Sequence, residues 1–206
     1  MRKVIVFLSL VDIIVLASAF TEEKNKLNTS TGFQTEISTV PTQQETLLSL
    51  EVNIPFIGKS FNGFREAVAF KESQGRYHAV NTLGYLGKYQ FGRSTLERFN
   101  IYNTNTFLNT PELQEDAFVA LCSLNKWILR KDIDRSVGKR INGIVITESG
   151  ILAAAHLSGA GNVKKYLRSY GQNTFKDAYG SSIQHYMKLF SGYDTSFIQA
   201  NRKPTV

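Results

Sequence analysis

Glu72 is the residue of this 206-residue chain whose type and setting best suit it to acid–base chemistry. It stands in Phe70-Lys71-Glu72-Ser73-Gln74-Gly75-Arg76-Tyr77-His78-Ala79-Val80-Asn81, at the end of a segment with helical periodicity. Val68 and Phe70 are expected to put apolar surface beside its carboxylate. The stretch that follows, Gly84-Tyr85-Leu86-Gly87-Lys88-Tyr89-Gln90-Phe91-Gly92, is rich in glycine and aromatics and can fold back over it. Burial of that kind raises a carboxyl pKa, because desolvation penalises the charged form. A carboxyl that keeps its proton near neutrality is a general acid. Taken alone, Glu72 reads more simply as an ordinary surface acid at a helix end. Two-carboxylate chemistry needs a second acid, and Glu66, Glu97 and Glu148 are the nearest in sequence. Glu148 follows Thr147 at a helix start, where the helix dipole favours an acid on structural grounds.

Other reactive residue types lead nowhere comparable. His78, His156 and His185 lack metal-ligand spacing, and no cysteine or acid cluster joins them. Cys122 is the only cysteine and lies among Phe118, Leu121 and Leu124, as a small buried hydrophobe would. Gly58-Lys59-Ser60 has the ending of a phosphate loop, but Asn53 occupies the place of the required glycine. Nothing implies a cofactor or a bound metal.

The elements that must position Glu72 are mostly helices. Asn62 to Ser73 carries Phe64, Ala67, Val68 and Lys71 at helical spacing, with Phe70 alongside. The four glycines from Gln74 to Gly92 then predict a structured loop or short β-hairpin. Ser94 to Phe99 reads as a helical turn. Thr110-Pro111-Glu112 is a helix start, with a capping hydroxyl, a first-position proline and a first-turn acid. That helix is predicted to run to about Lys131, burying Leu113, Ala117, Leu121, Leu124 and Ile128. Asn142-Gly143 is a turn, and Thr147 caps a helix ending at Gly159. Shorter helices follow at about Asn162–Ser169 and Ser181–Phe190. The predicted class is mainly α (α+β), with a small irregular or β-hairpin element after the first helix.

The N-terminus carries an export signal. A positive start, Met1-Arg2-Lys3, precedes an apolar run from Val4 to Leu16 and a small-residue cleavage site, Ala17-Ser18-Ala19. The run is too short to span a bilayer, so 1–19 is expected to be a signal peptide. The remainder is expected to be secreted or periplasmic, with no stable membrane insertion. Residues 20–54, rich in Thr, Ser, Gln and Glu, form an expected flexible linker to a domain over 55–206. Residues 20–55 hold five acids and two lysines, a net of −3, whereas residues 56–206 hold 20 Lys/Arg and 11 Asp/Glu, a net of +9. A basic domain outside the cytoplasm points to an anionic partner such as cell wall. Nucleic acid fits the charge but not the compartment. The oligomeric state is not legible.

Three segments in order carry a resemblance. Glu72-Ser73, then Gly84-x-x-Gly87-x-x-Gln90, then Ala155-His156-Leu157-Ser158-Gly159-Ala160-Gly161-x-Val163 resemble the motifs of the soluble lytic transglycosylases, within the lysozyme-like superfamily. Tyr186, in Ile183-Gln184-His185-Tyr186-Met187, matches that family's later tyrosine. The likeness covers about residues 60–190. Tyr89 stands where the family has methionine, and His156 and Leu157 where it has tyrosine and asparagine, the marks of a divergent member. The resemblance implies a lysozyme-like helical domain that cleaves the glycan strands of peptidoglycan between N-acetylmuramic acid and N-acetylglucosamine. Glu72 would be the single acid/base, and the product would end in a 1,6-anhydro ring. Ser73 and Gln90 would orient Glu72 or the sugar's N-acetyl group, and Tyr186 would hydrogen-bond near the carboxylate. His156 and Gly159 would border the substrate. Tyr85 and Tyr89 would either pack on sugar rings or belong to the core. A lysozyme-type hydrolase on peptidoglycan or a chitin-like polymer, and a non-catalytic wall-binding module, remain the alternatives.

Overall fold

Local capping chemistry sets most element boundaries in the computed structural model, which describes residues 57–206. The expected signal peptide (1–19) and linker (20–54) lie outside the described residues. Helix α1, Phe61–Ser73, starts where Ser60 Oγ accepts from the Gly63 amide at 3.1 Å. It stops at Gln74, whose φ of +59° ends the helical hydrogen-bond run. Phe64, Val68 and Ala69 are buried, but Phe70 is 71% exposed and gives Glu72 no apolar cover. The reason is angular, since Phe70 lies on the opposite side of α1 from Phe64 and Val68.

Residues 74–92 form turns rather than a regular hairpin. Isolated bridges join Val80 to Leu86 and Leu86 to Phe91. Positive φ at Gln74, Gly75, Gly84, Gly87 and Gln90 turns the chain repeatedly through this segment. The regular two-stranded antiparallel sheet lies elsewhere: β1, Arg140–Ile141, pairs with β2, Ile144–Val145. Asn142 and Gly143 connect them with φ of +49° and +79°, the left-handed pair that a two-residue hairpin turn requires.

Helix α2 is Arg93–Glu97. Helix α3, Thr104–Asn109, had no periodic signal; Asn103 Oδ1 caps it by accepting from the Asn105 and Thr106 amides. Helix α4, Pro111–Ser136, begins at the expected proline, although the Thr110 side chain makes no cap bond. It runs five residues past the predicted Lys131, because Asp132, Ile133 and Ser136 are also buried. Of the expected buried stripe, Ala117 and Leu124 are buried, and the rest is corrected. Phe118, Cys122, Leu129 and Ile133 carry much of the helix's core contact, while Leu113, Leu121 and Ile128 are only partly buried. A helix enclosed on more than one side has no single apolar stripe.

Helix α5, Glu148–Ser158, is the centre of the fold. Thr147 Oγ1 caps it at Gly150, and every residue from Ser149 to Ala155 is buried. It packs on α4, on α6 (Ala160–Arg168) and on α7 (Ile183–Leu189). A Cβ on Gly150 would lie 2.6 Å from the Met187 carbonyl oxygen, so only glycine lets α5 and α7 approach this closely. Phe64 of α1 meets Phe118 and Phe190, joining the first helix to α4 and the end of α7. Each such buried ring is worth about 1.5–3 kcal/mol. Asp132, almost fully buried, ties α4 to α6 through Arg168 Nε at 2.9 Å and also pairs with Arg135. Among the described residues, seven helices and one small sheet make a mainly helical fold. No described helix is long and apolar enough to cross a membrane.

Candidate functional site

Two helix positions far apart in sequence meet at one carboxyl group. Glu72 lies one residue from the end of α1, and Tyr186 lies mid-way along α7. The Tyr186 hydroxyl donates to Glu72 Oε1 at 2.8 Å. The phenol is 2% exposed and packs on Phe190, and its chain neighbour Met187 is the α7 residue that meets Gly150 of α5. Burial, then the charge and hydrogen bond of Glu72, pushes the Tyr186 hydroxyl well above the ordinary phenol range, so it keeps its proton and donates to the carboxylate. With Oε1 occupied as an acceptor, a proton on Glu72 resides on Oε2.

Glu72 borders a cavity of about 270 Å³. A neighbouring lobe of about 570 Å³ adjoins it, and both are lined by Tyr85, Gln90, His156, Leu157 and Phe175. Together they make one groove. Its far lobe runs past Arg98, Leu121, Asn125 and Ile128 to Gly159 and Gly161. The partial exposure of Leu121 and Ile128 is thus groove lining. A carboxyl group so placed can give a proton to a ligand in the groove and take one back. Another depression of about 570 Å³, between the β1–β2 hairpin and α7, has no acid among its lining residues.

The first wall of the groove is the 77–92 loop. Asn81 Oδ1 accepts from the Leu83 and Tyr85 amides, which turns Tyr85 toward the cavity. Gln90 lines both lobes and anchors itself by donating Nε2 to the Gly87 carbonyl at 2.9 Å. His156 also lines both. Its Nε2 lies 2.8 Å from the Tyr89 carbonyl, which can only accept, so that nitrogen carries the proton. The imidazole is wedged edge-on against Phe91 and Phe118, and its buried Nδ1 has no partner among the described residues. Gly159, with φ of +78°, joins α5 directly to α6 at the far lobe.

Two expected contacts are corrected. Tyr89 is fully buried, stacked on Phe118 at 4.2 Å, with its hydroxyl donating to Glu115 Oε2 at 2.6 Å. It belongs to the core and cannot meet a sugar ring. Ser73 is also buried; it donates to the Lys88 carbonyl at 2.7 Å and accepts from the Arg76 amide, with no hydrogen bond to Glu72. It secures the loop instead. Glu72, Tyr85, Gln90, His156, Gly159 and Tyr186 are brought to the groove or its edge. The three acids nearest in sequence are not. Glu66 pairs with Lys88, Glu148 with Lys126 and the Thr195 hydroxyl, and Glu97 is exposed on α2.

Four residues that line or brace the groove have no motif to announce them. Gln114, fully buried on α4, accepts from the Lys88 amide at 2.8 Å and donates to the Tyr77 and Phe107 carbonyls. Next to it, Glu115 receives Tyr77, Tyr89 and Lys88 and pairs with Arg65 at 3.2 Å. These two side chains clamp the groove loop to α4. Burial alone would raise the Glu115 carboxyl, but the hydrogen bonds from Lys88, Tyr89 and Tyr77 outweigh it and hold it below the usual range. A polar pair at core-facing helix positions was the available signal. The second wall, the loop before α7, supplies the other two. Asp177 lines the Glu72 cavity, and its Oδ1 accepts from the Tyr179 and Ser181 amides. Tyr179, at the tip of that loop, reaches Thr82 of the first wall.

No protein-family model, no curated protein and no solved structure gives a significant match to this chain.

Proposed function

We propose that this chain is a peptidoglycan lytic transglycosylase, built on a lysozyme-like helical domain and exported, with Glu72 as its single acid/base. The observation that carries it is the 2.8 Å hydrogen bond from Tyr186 to Glu72, at the head of a groove that also holds Gln90 and His156. These residues come from the three sequence-separated motifs and the later tyrosine on which the family resemblance rests. The net charge of +9 over residues 56–206 suits an anionic wall polymer.

The chemistry follows from one carboxyl group. Glu72 gives its Oε2 proton to the glycosidic oxygen as the bond to the muramoyl anomeric carbon breaks. The resulting carboxylate, still held at Oε1 by Tyr186, takes the proton from the muramoyl C6 hydroxyl. That oxygen closes on the anomeric carbon and forms the 1,6-anhydro ring. Glycosidases that use water or a covalent intermediate need two carboxylates. Here the nucleophile is within the sugar, so one suffices. Tyr85 offers a face for a sugar ring, and Gln90 a hydrogen-bonding amide beside it.

A second reading has its own observation. Asp177 borders the same cavity as Glu72, so a hydrolase with Asp177 as the water-activating carboxylate is the competing mechanism. Mass spectrometry of fragments released from purified peptidoglycan by the full chain, beside Glu72→Gln, separates the readings. Fragments ending in 1,6-anhydro-muramic acid, absent with the variant, are the expected result. Reducing ends would move the assignment to hydrolysis. No fragments from either protein, with wall still bound, would leave a binding module.

A further inference from the structure

The two walls of the groove touch each other at the Glu72 end. Thr82 Oγ1 and the Tyr179 hydroxyl lie 3.0 Å apart, across 97 residues of sequence. Each wall is stiffened from within. Asn81 Oδ1 holds the Leu83 and Tyr85 amides on one side, and Asp177 Oδ1 holds the Tyr179 and Ser181 amides on the other. A bridge between Lys176 and Ser182 closes the base of the second loop. Both loops line the small lobe with Glu72, whereas neither Thr82 nor Tyr179 borders the large lobe. Among the described residues, the groove is therefore longer in the lobe that neither Thr82 nor Tyr179 borders, and shorter on the clasped side of the carboxyl.

We infer that the Thr82–Tyr179 clasp makes this site act at the ends of glycan strands. The inference rests on the proposed function and specifies its substrate. A polymer lying in the large lobe meets Glu72 with only the smaller, clasped lobe ahead of it. A short terminal piece fits that space. A strand continuing in both directions must break the clasp to pass. The clasp is a single exposed hydrogen bond between neutral hydroxyls, so its loss shifts the preference by roughly fivefold rather than abolishing it.

Glycan strands freed of their peptides and of uniform length, digested by the full chain, test this. The strand-length distribution is read at early times, with Glu72→Gln beside it. End-first action releases small fragments at once while the surviving strands keep their length. Thr82→Val and Tyr179→Phe, which each remove one hydroxyl, are expected to raise the share of mid-strand cuts about fivefold. The double variant should go no further than either single, because both delete the same contact. Early shortening of the whole strand population by the unaltered chain overturns the inference and leaves the proposed reaction standing. So does an unchanged cutting pattern in the variants. If the unaltered chain releases nothing, the proposed reaction fails and this inference with it.

Discussion

Tyr186 donates to Glu72 across 114 residues of chain, so the first and last helices of the described domain meet at a single proton-bearing group. A hydrogen bond to a charged acceptor contributes about 1.5–3 kcal/mol, a factor of about 10–100. Tyr186→Phe is expected to lower fragment release from peptidoglycan by that factor. Glu72 is only half-buried, so water can replace the lost donor, and the thermal midpoint should barely move. An activity loss matched by a large loss of stability would assign Tyr186 to packing instead.

Gly150→Ala tests the helix contact behind that pair. The added methyl would meet the Met187 carbonyl oxygen at 2.6 Å and push α7 off α5. Small-to-large changes in a packed core cost about 1–3 kcal/mol. The displacement also lengthens the Tyr186–Glu72 contact, so activity at a temperature where the variant stays folded should fall at least tenfold. Retained activity in a folded Gly150→Ala protein would separate the helix spacing from the chemistry.

How much of this was legible beforehand depends on where each residue's partners lie. Glu72, Gln90, His156 and Tyr186 sit in motifs whose order is visible in one dimension, and capping signals at Pro111 and Thr147 marked two long helices. Tyr85 and Tyr89 looked alike, because what separates them is Phe118 and Glu115 on α4, far along the chain. Gln114 and Glu115 read as a polar helix face, since nothing local says that a loop will fold onto them. Asp177 and Tyr179 belong to a loop without periodicity, and only the closed fold brings them beside Glu72.

The clamp that holds the groove loop should make stability acid-sensitive. Glu115 has its carboxyl held below the ordinary value of 4.5, and Asp132, through Arg168 and Arg135 against its own burial, below 3.8. A carboxyl lowered in the folded state contributes stability that is complete above its unfolded pKa and is lost as pH falls through the folded one. The thermal midpoint is therefore expected to drop as pH falls below about 4.5. Glu115→Gln should cost about 1–3 kcal/mol at neutral pH, because Lys88 loses one of its two carboxylates while keeping Glu66, and should flatten that acid slope. An unchanged slope would show that other carboxyls control it.

Asp177→Asn distinguishes a structural from a chemical carboxylate. The asparagine oxygen can still accept from the Tyr179 and Ser181 amides, so the loop should keep its shape. Under the single-carboxyl mechanism the product ends stay 1,6-anhydro and the rate changes by less than about tenfold. A fall of about 100-fold or more, with reducing-end products before the change, would make Asp177 the second catalytic acid.

The pairing of α1 with α7 also sets when the groove is complete. A chain is made from its N-terminus, so Glu72 emerges well before Tyr186. Until α7 docks, the carboxyl lacks its phenol and the groove lacks its second wall. An enzyme of this proposed kind would be harmless to the cell that makes it through synthesis and passage, and armed only once folding is finished. Interrupted or clipped copies would be blanks.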